Sequence, residues 1–306
     1  MSETAATVPP DASVPRACTG VSDRLDEPLL GTAPHAVAWL LVVHPGPWPQ
    51  DAPGALFDPV IADELERRCA RERVRLVAVR RSTSRPGAPA RVCYVASSRA
   101  GRTWIERLAL AEPKDLLDLD LAAIADGTPP EGGERVAGPL YAVYTHGKRD
   151  ACCASYGRPV HRAVSRLAPG RTWEATHLGG HRFAANVLVL PEGLLYGRVD
   201  RDNAATLVRG HEQGTVDPAL WRGRSAEPQP AQAAEWFARR ATGTTAIDGV
   251  TIDDVRATGH GWTVRLRAAG APLTATVERV ATGCTRTTAC TGTAADPGRW
   301  RLIALA

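Results

Sequence analysis

One stretch constrains the fold more than any other. His177 and His181 stand four residues apart with Gly179 and Gly180 between them. On a helix this spacing would bring both imidazoles to one face. Two adjacent glycines carry the largest entropic cost a helix can meet, so the segment predicts a tight loop instead. From such a loop both rings can turn toward one point. Residues 186–190 then form a short apolar run with strand propensity. Pro191, Glu192 and Gly193 make a turn, and residues 194–199 give a second strand. The pattern is a hairpin entered from a two-histidine loop.

The order of elements around that hairpin extends the argument. Residues 140–144 read as a strand, 145–156 as a polar loop, and 159–167 as a helix with Pro159 in its first turn. A second strand follows at 172–176, then the histidine loop and hairpin. Asp200 is expected to cap a helix running to about residue 209. Strand, loop, helix, strand, loop, hairpin, helix is the thioredoxin-like order. The first half repeats it approximately: a buried strand at 36–43, an amphipathic helix at 58–71, and strands at 76–80, 91–96 and 102–110, with a loop at 82–89. A helix or helical turn is expected at 115–125.

The predicted class is therefore α/β: tandem thioredoxin-like α/β domains with a small C-terminal α+β extension. The expected divisions are a disordered arm at 1–28, an N-terminal unit at 29–137 without ligands, a ligand-bearing unit at 138–210 and a C-terminal region at 211–306. The Gly- and Pro-rich segment 126–138 is the linker, and 211–229 reads as a connection. The C-terminal region is expected to hold a helix at 231–241 and a small antiparallel sheet.

Histidines alone do not make a site, since most are surface or hydrogen-bonded residues. A second source of ligands lies upstream, where Cys152 and Cys153 are adjacent and Cys153 precedes His177 by 24 residues. Thiolate and neutral imidazole together suit zinc and iron–sulfur clusters. The other cysteines read differently. Cys69 and Cys93 fall on core positions, and Cys18 reads as an unremarkable thiol in the arm. Cys284 and Cys290 lie in a Thr-rich loop without a second pair. Seven cysteines, an odd number, with no apolar export segment, suggest reduced thiols and a cytoplasmic protein. The longest apolar run is eight residues, too short to span a bilayer. A net charge of +4 without a basic run argues against nucleic acid. The Ala-, Arg-, Gly- and Pro-rich composition suggests a bacterial source.

Residues 144–154, 173–191 and 196–199, with 29–33, 39–42 and 45–48, resemble the sucrase/ferredoxin-like family over most of 18–210. That family resembles the thioredoxin-like 2Fe–2S ferredoxins, with one cysteine pair replaced by two histidines. The resemblance implies a 2Fe–2S electron carrier whose cluster is held by Cys153, His177 and His181, with an unknown redox partner and neither nucleic acid nor membrane. The pattern departs at one place. The family's other cysteine is expected nine residues before Cys153, and this chain has Tyr144 there. Cys152, and less readily His146 or Tyr144 itself, are left to fill the fourth position. Arg182, Arg149 and Lys148 lie beside the ligands, either to offset the reduced cluster's charge or as ordinary solvated groups. The competing reading is a zinc-binding or metal-free thioredoxin-like interaction module. A thiol–disulfide enzyme is disfavoured because no Cys-x-x-Cys motif is present. The sucrase half of the family's name finds no support in Glu174, Asp150 or Asp200, whose spacing shows no facing carboxylate pair.

Overall fold

The structure, a computed structural model, describes residues 18–81, 91–287 and 294–306. The first half runs α1 (Cys18–Arg24), β1 (Ala38–Val43), α2 (Pro59–Arg71), β2 (Val74–Arg80), β3 (Val92–Ser97), β4 (Trp104–Ala109), α3 (Leu121–Ala125) and β5 (Glu134–Arg135). Strand β1 is apolar throughout because both its faces are covered. Trp39 and Leu41 enter one core cluster and Leu40 and Val42 the other. Helix α2 starts where the sequence signals it, with the Asp58 carboxylate accepting from the Val60 N–H and Pro59 in the first turn. It buries Ala62, Leu65 and Cys69.

The second half runs β6 (Leu140–Tyr144), α4 (Ala151–Leu167), β7 (Thr172–Ala175), β8 (Val187–Leu190), β9 (Leu194–Tyr196), α5 (Ala204–Glu212) and β10 (Trp221–Arg224). In the first half β1 lies parallel to β2 and antiparallel to β3, and β4 extends the sheet. In the second, β6 lies parallel to β7 and antiparallel to β8, and β9 extends it. The orders β2-β1-β3-β4 and β7-β6-β8-β9 are one strand topology used twice. Antiparallel pairing of β2 with β7 fuses the two into a ten-stranded mixed sheet, β10-β9-β8-β6-β7-β2-β1-β3-β4-β5. The α/β class expected from the sequence is the one observed.

The C-terminal region adds α6 (Gln229–Thr242), β11 (Val250–Thr258), β12 (Gly261–Ala268), β13 (Ala271–Val280), β14 (Arg286–Thr287), β15 (Ala294–Ala295) and β16 (Arg299–Leu305). A four-stranded antiparallel sheet, β11-β12-β13-β16, packs on the Ala-rich face of α6. Among the described residues no helix is long and apolar enough to cross a membrane.

Several local expectations are corrected. Cys152 and Cys153 sit not in a loop but in the first turn of α4, which begins eight residues before Pro159 and carries that proline inside it. The helix continues because Gly157 lets it press on β6: a Cβ there would lie 2.1 Å from the Tyr144 carbonyl oxygen. The described end of the expected arm is a helix, with Cys18 buried. The connection at 211–229 contains β10, and the linker contains β5. Asp200 accepts from the Asp202 and Asn203 N–H groups just ahead of α5, one turn before the helix starts. The loop at 82–89 and Cys290 lie outside the described residues. Cys69 and Cys93 are core residues as expected, their thiols each pushed up to about 12 by burial.

Candidate metal centre

The histidine loop owes its shape to its glycines and to one arginine. Gly179 and Gly180 adopt φ of +82° and +70°, a region other residues enter at a cost. A Cβ on Gly180 would lie 2.2 Å from the Arg222 guanidinium. Arg222, on β10, is buried beneath the loop. Its Nη1 donates to the Gly179 carbonyl at 3.0 Å and to Asn186 Oδ1 at 2.8 Å. Its Nη2 donates to the Thr32 carbonyl at 2.6 Å. Asn186 in turn donates from Nδ2 to the Gly180 carbonyl at 2.9 Å. Thus clamped, the loop stacks the His177 and His181 rings, with centroids 4.3 Å apart and planes 27° from parallel.

Asp150, just ahead of α4, and Tyr144, ending β6, lie against those rings. The Tyr144 hydroxyl donates to Asp150 Oδ2 at 2.7 Å and lies 3.4 Å from His177 Nδ1. Asp150 Oδ2 is 2.6 Å from His181 Nδ1. Donor atoms of Asp150, His177 and His181 all lie within 4.8 Å of one another, so this trio could hold a metal ion. Burial, with His181, Arg75 and Arg149 nearby, holds the His177 pKa at about 2, which keeps the imidazole neutral as a ligand must be. Burial works to raise the Asp150 pKa, but the hydrogen bond and charge of His181, with the Tyr144 hydroxyl, overcome it and the net shift is downward. Burial, reinforced by Cys153 and Asp150, pushes the Tyr144 phenol up. Tyr144 therefore serves as a neutral hydrogen-bond donor.

The thiols lie deeper than the rings. Cys152 and Cys153 are neighbours on a helix, so their side chains diverge by roughly 100°. Cys153 Sγ lies 3.8 Å from the His181 carbonyl, beneath the loop. Cys152 adjoins it, and the Cys152 Sγ is 3.6 Å from the Sγ of Cys18. Burial, with Cys152, Asp150 and Cys18 adjoining, pushes the Cys153 thiol up. Cys18 arrives on α1, which packs on the turn His181–Phe183. Thr19 Oγ1 donates to the His181 carbonyl at 3.2 Å. Beyond the helix, Glu27 accepts from Arg182 Nε at 2.7 Å and from Arg286 Nε at 3.3 Å.

The structure thus gathers His177, His181, Cys152 and Cys153 in one region, and the tight trio takes in Asp150 rather than a thiol. Arg182 is committed to Glu27, while Lys148 is exposed. His146 packs its ring edge-on against Trp48. Glu174 accepts from Arg80 Nε at 2.8 Å across the β2–β7 seam, a structural use of the carboxylate. Three residues escaped sequence reasoning: Cys18, Asp150 as a partner of the histidines, and Arg222. Asp150 alone carried a local signal, standing just before the cysteine pair.

The sucrase/ferredoxin-like family model matches residues 29–223, which includes Tyr144, the cysteine pair, both histidines and Arg222. No curated protein and no solved structure matches the chain. The match covers nearly two thirds of the sequence and ends inside the strand that clamps the histidine loop, and the chain belongs to the sucrase/ferredoxin-like family.

Proposed function

We propose that the chain is an electron carrier whose centre is a 2Fe–2S cluster held between the histidine loop and the first turn of α4. The observation that carries the reading is the facing of two kinds of soft donor. Two stacked imidazoles lie at the rim, with the His181 side chain 16 % exposed, and buried thiols lie beneath them. The donor chemistry fits such a group. Neutral imidazoles and deprotonatable thiols suit the two ends of a mixed-ligand cluster, as the Rieske type illustrates. Such a cluster takes up and releases one electron, at a higher potential than an all-cysteine one.

The chain's own residues then have defined tasks. His177 and His181 are the nitrogen ligands. The sulfur comes from the α4 pair, Cys153, which the resemblance implies, and Cys152 beside it. Asp150 Oδ2, 2.6 Å from His181 Nδ1, orients that ring, as a carboxylate does beside a metal-bound histidine. Tyr144 holds Asp150 through its hydroxyl. Arg222 fixes the loop that carries both rings.

A second reading has its own support in the proximity of Asp150, His177 and His181. Two histidines and a carboxylate with open positions hold a single iron or zinc ion in many proteins. Metal and sulfide analysis of protein purified without oxygen separates the two. About two irons and two sulfides per chain with broad visible absorption support the cluster. His177→Ala and Cys153→Ser should each abolish that absorption. One metal per chain without sulfide, abolished by Asp150→Ala but kept in Cys153→Ser, would replace the cluster with the mononuclear site. A colourless protein that takes up no iron and sulfide on reconstitution would refute electron transfer.

A further inference from the structure

We propose that Cys18 is a ligand of the centre and supplies the thiolate that this chain lacks at position 144. The inference rests on the metal-centre reading and deepens it. Tyr144 cannot stand in for the missing sulfur, because its hydroxyl is already given to Asp150. A replacement must come from elsewhere in the chain, and α1 brings one. Cys18 is buried, and its Sγ stands 3.6 Å from the Sγ of Cys152. Two sulfurs on one tetrahedral metal with bonds of about 2.3 Å stand about 3.8 Å apart. The observed spacing between Cys18 and Cys152 is close to that value, as well as to that of an ordinary thiol–thiol hydrogen bond, and it is reached between residues 134 positions apart in sequence.

The helix that delivers this thiol packs on the histidine loop and also touches β14. Thr19 donates to the carbonyl of His181, itself a proposed ligand. Arg198, following the hairpin, donates from Nε to Asp23 at 2.9 Å and from Nη2 to the Ser22 carbonyl at 3.1 Å. Arg182, next to His181, is paired with Glu27. Of the cysteines among the described residues, Cys69 and Cys93 lie in a separate core cluster, and Cys284 is half-buried in the C-terminal region. Cys18, Cys152 and Cys153 form the one group of three, beneath the imidazoles. With His177 and His181 on one side of the centre, the sulfur side needs two thiolates, and Cys18 joins one from the α4 pair.

The test uses the full-length chain and two probes. The first is iron and sulfide content after anaerobic purification. The second is cobalt(II) titration of the metal-free protein, in which the thiolate-to-cobalt charge-transfer band reports how many thiolates bind. Cys18→Ser is compared with Cys284→Ser and with Thr19→Ala, which keeps the thiol but loses a contact that docks the helix. Cys18→Ser is expected to lose iron and sulfide and to lower the cobalt band by about half, as one of two thiolates is removed. Cys284→Ser and Thr19→Ala are expected to keep the band. A Cys18→Ser protein with undiminished iron, sulfide and cobalt absorption overturns the role of Cys18 while leaving the electron-transfer reading intact. Thr19→Ala losing as much as Cys18→Ser also overturns it, because helix docking then accounts for the loss. A wild-type protein without iron or sulfide defeats the electron-transfer reading, and the cobalt band still decides whether Cys18 ligates. A Cys18–Cys152 disulfide in the anaerobically purified protein counts against ligation.

Discussion

At the scale of single residues the centre mixes what sequence makes visible with what it hides. The two histidines were legible because the information is local. Adjacent glycines at positive φ dictate a loop, and a loop of this length brings its flanking rings together. Cys153 was singled out upstream of the same loop, and the structure places it beneath that loop. Cys18 was not, since nothing in a Pro-rich N-terminal sequence indicates a contact with a residue 134 positions away. Arg222 was hidden for a related reason: an arginine in a Trp-Arg-Gly-Arg run looks solvated until the loop it clamps closes over it. Two predictions belong at this scale. Tyr144→Cys, introduced into Cys18→Ser, should restore iron and sulfide by returning the thiolate to its family position, and metal analysis of the double variant checks this. Replacing Arg222 by Met would leave the Gly179 carbonyl, Asn186 Oδ1 and the Thr32 carbonyl short of a donor. The expected loss is about 3–5 kcal/mol of stability, measured by denaturant unfolding, together with weaker metal retention.

At the scale of elements, the sequence placed most strands within a few residues and misjudged where α4 starts. Pro159 carries a strong first-turn signal, and a polar stretch before it resembles a loop. The true start is set by tertiary fit, because Gly157 lets the helix approach β6 closely enough to bring Cys152 and Cys153 beneath the rings. Gly157→Ala should therefore cost about 1–3 kcal/mol from overpacking against the Tyr144 carbonyl, although alanine is the better helix former. Thermal unfolding of the variant measures it. The hairpin turn offers a pH test well away from the centre. Glu192 Oε2 lies 3.1 Å from Nε2 of His211 on α5. Burial raises the Glu192 pKa, but the hydrogen bond and charge of His211 lower it further, so the folded value lies below the unfolded one. The unfolded state then binds more protons as the pH drops below about 4.3, and the stabilisation, full above that value, is lost as the pH falls through the folded pKa. Glu192→Gln should unfold at a lower temperature than the wild type at pH 7, with the gap closing below about pH 4. Melting curves across that range decide it.

For the whole molecule the decisive feature is the fusion of two like halves along β2 and β7. The seam itself is short, pairing Val79 with Ala175 and Arg80 with Glu174. It is reinforced by the Thr176 hydroxyl, which accepts from the Ala78 N–H at 3.0 Å, and by a shared core. One apolar cluster holds Trp39, Val77 and Ile105 from the first half with Tyr144, Trp173 and Leu188 from the second. The internal repeat was visible in the order of elements, whereas the merging of its two sheets was not, because strand pairing across a seam leaves no periodicity in sequence. Burial of a common core makes the halves one cooperative unit. Calorimetry should show a single transition for the sheet body, and two separated transitions for the halves would contradict the shared core. The C-terminal region is tied in by specific bonds: Trp300 Nε1 donates to the Gly31 carbonyl, and the Gln232 amide exchanges two hydrogen bonds with the Ala33 backbone.

The docking of α1 has a consequence for how such a protein is inherited and cut. The family match begins at residue 29, eleven positions beyond Cys18. The part of the chain that the family model covers thus carries the imidazoles and the α4 cysteines, while the thiol proposed to complete them lies ahead of it. A protein shortened to start at residue 29 would keep every residue by which its kinship is recognised and still be missing a ligand. Lineages that change position 144 and lineages that acquire a cysteine ahead of the shared region should then turn out to be the same ones.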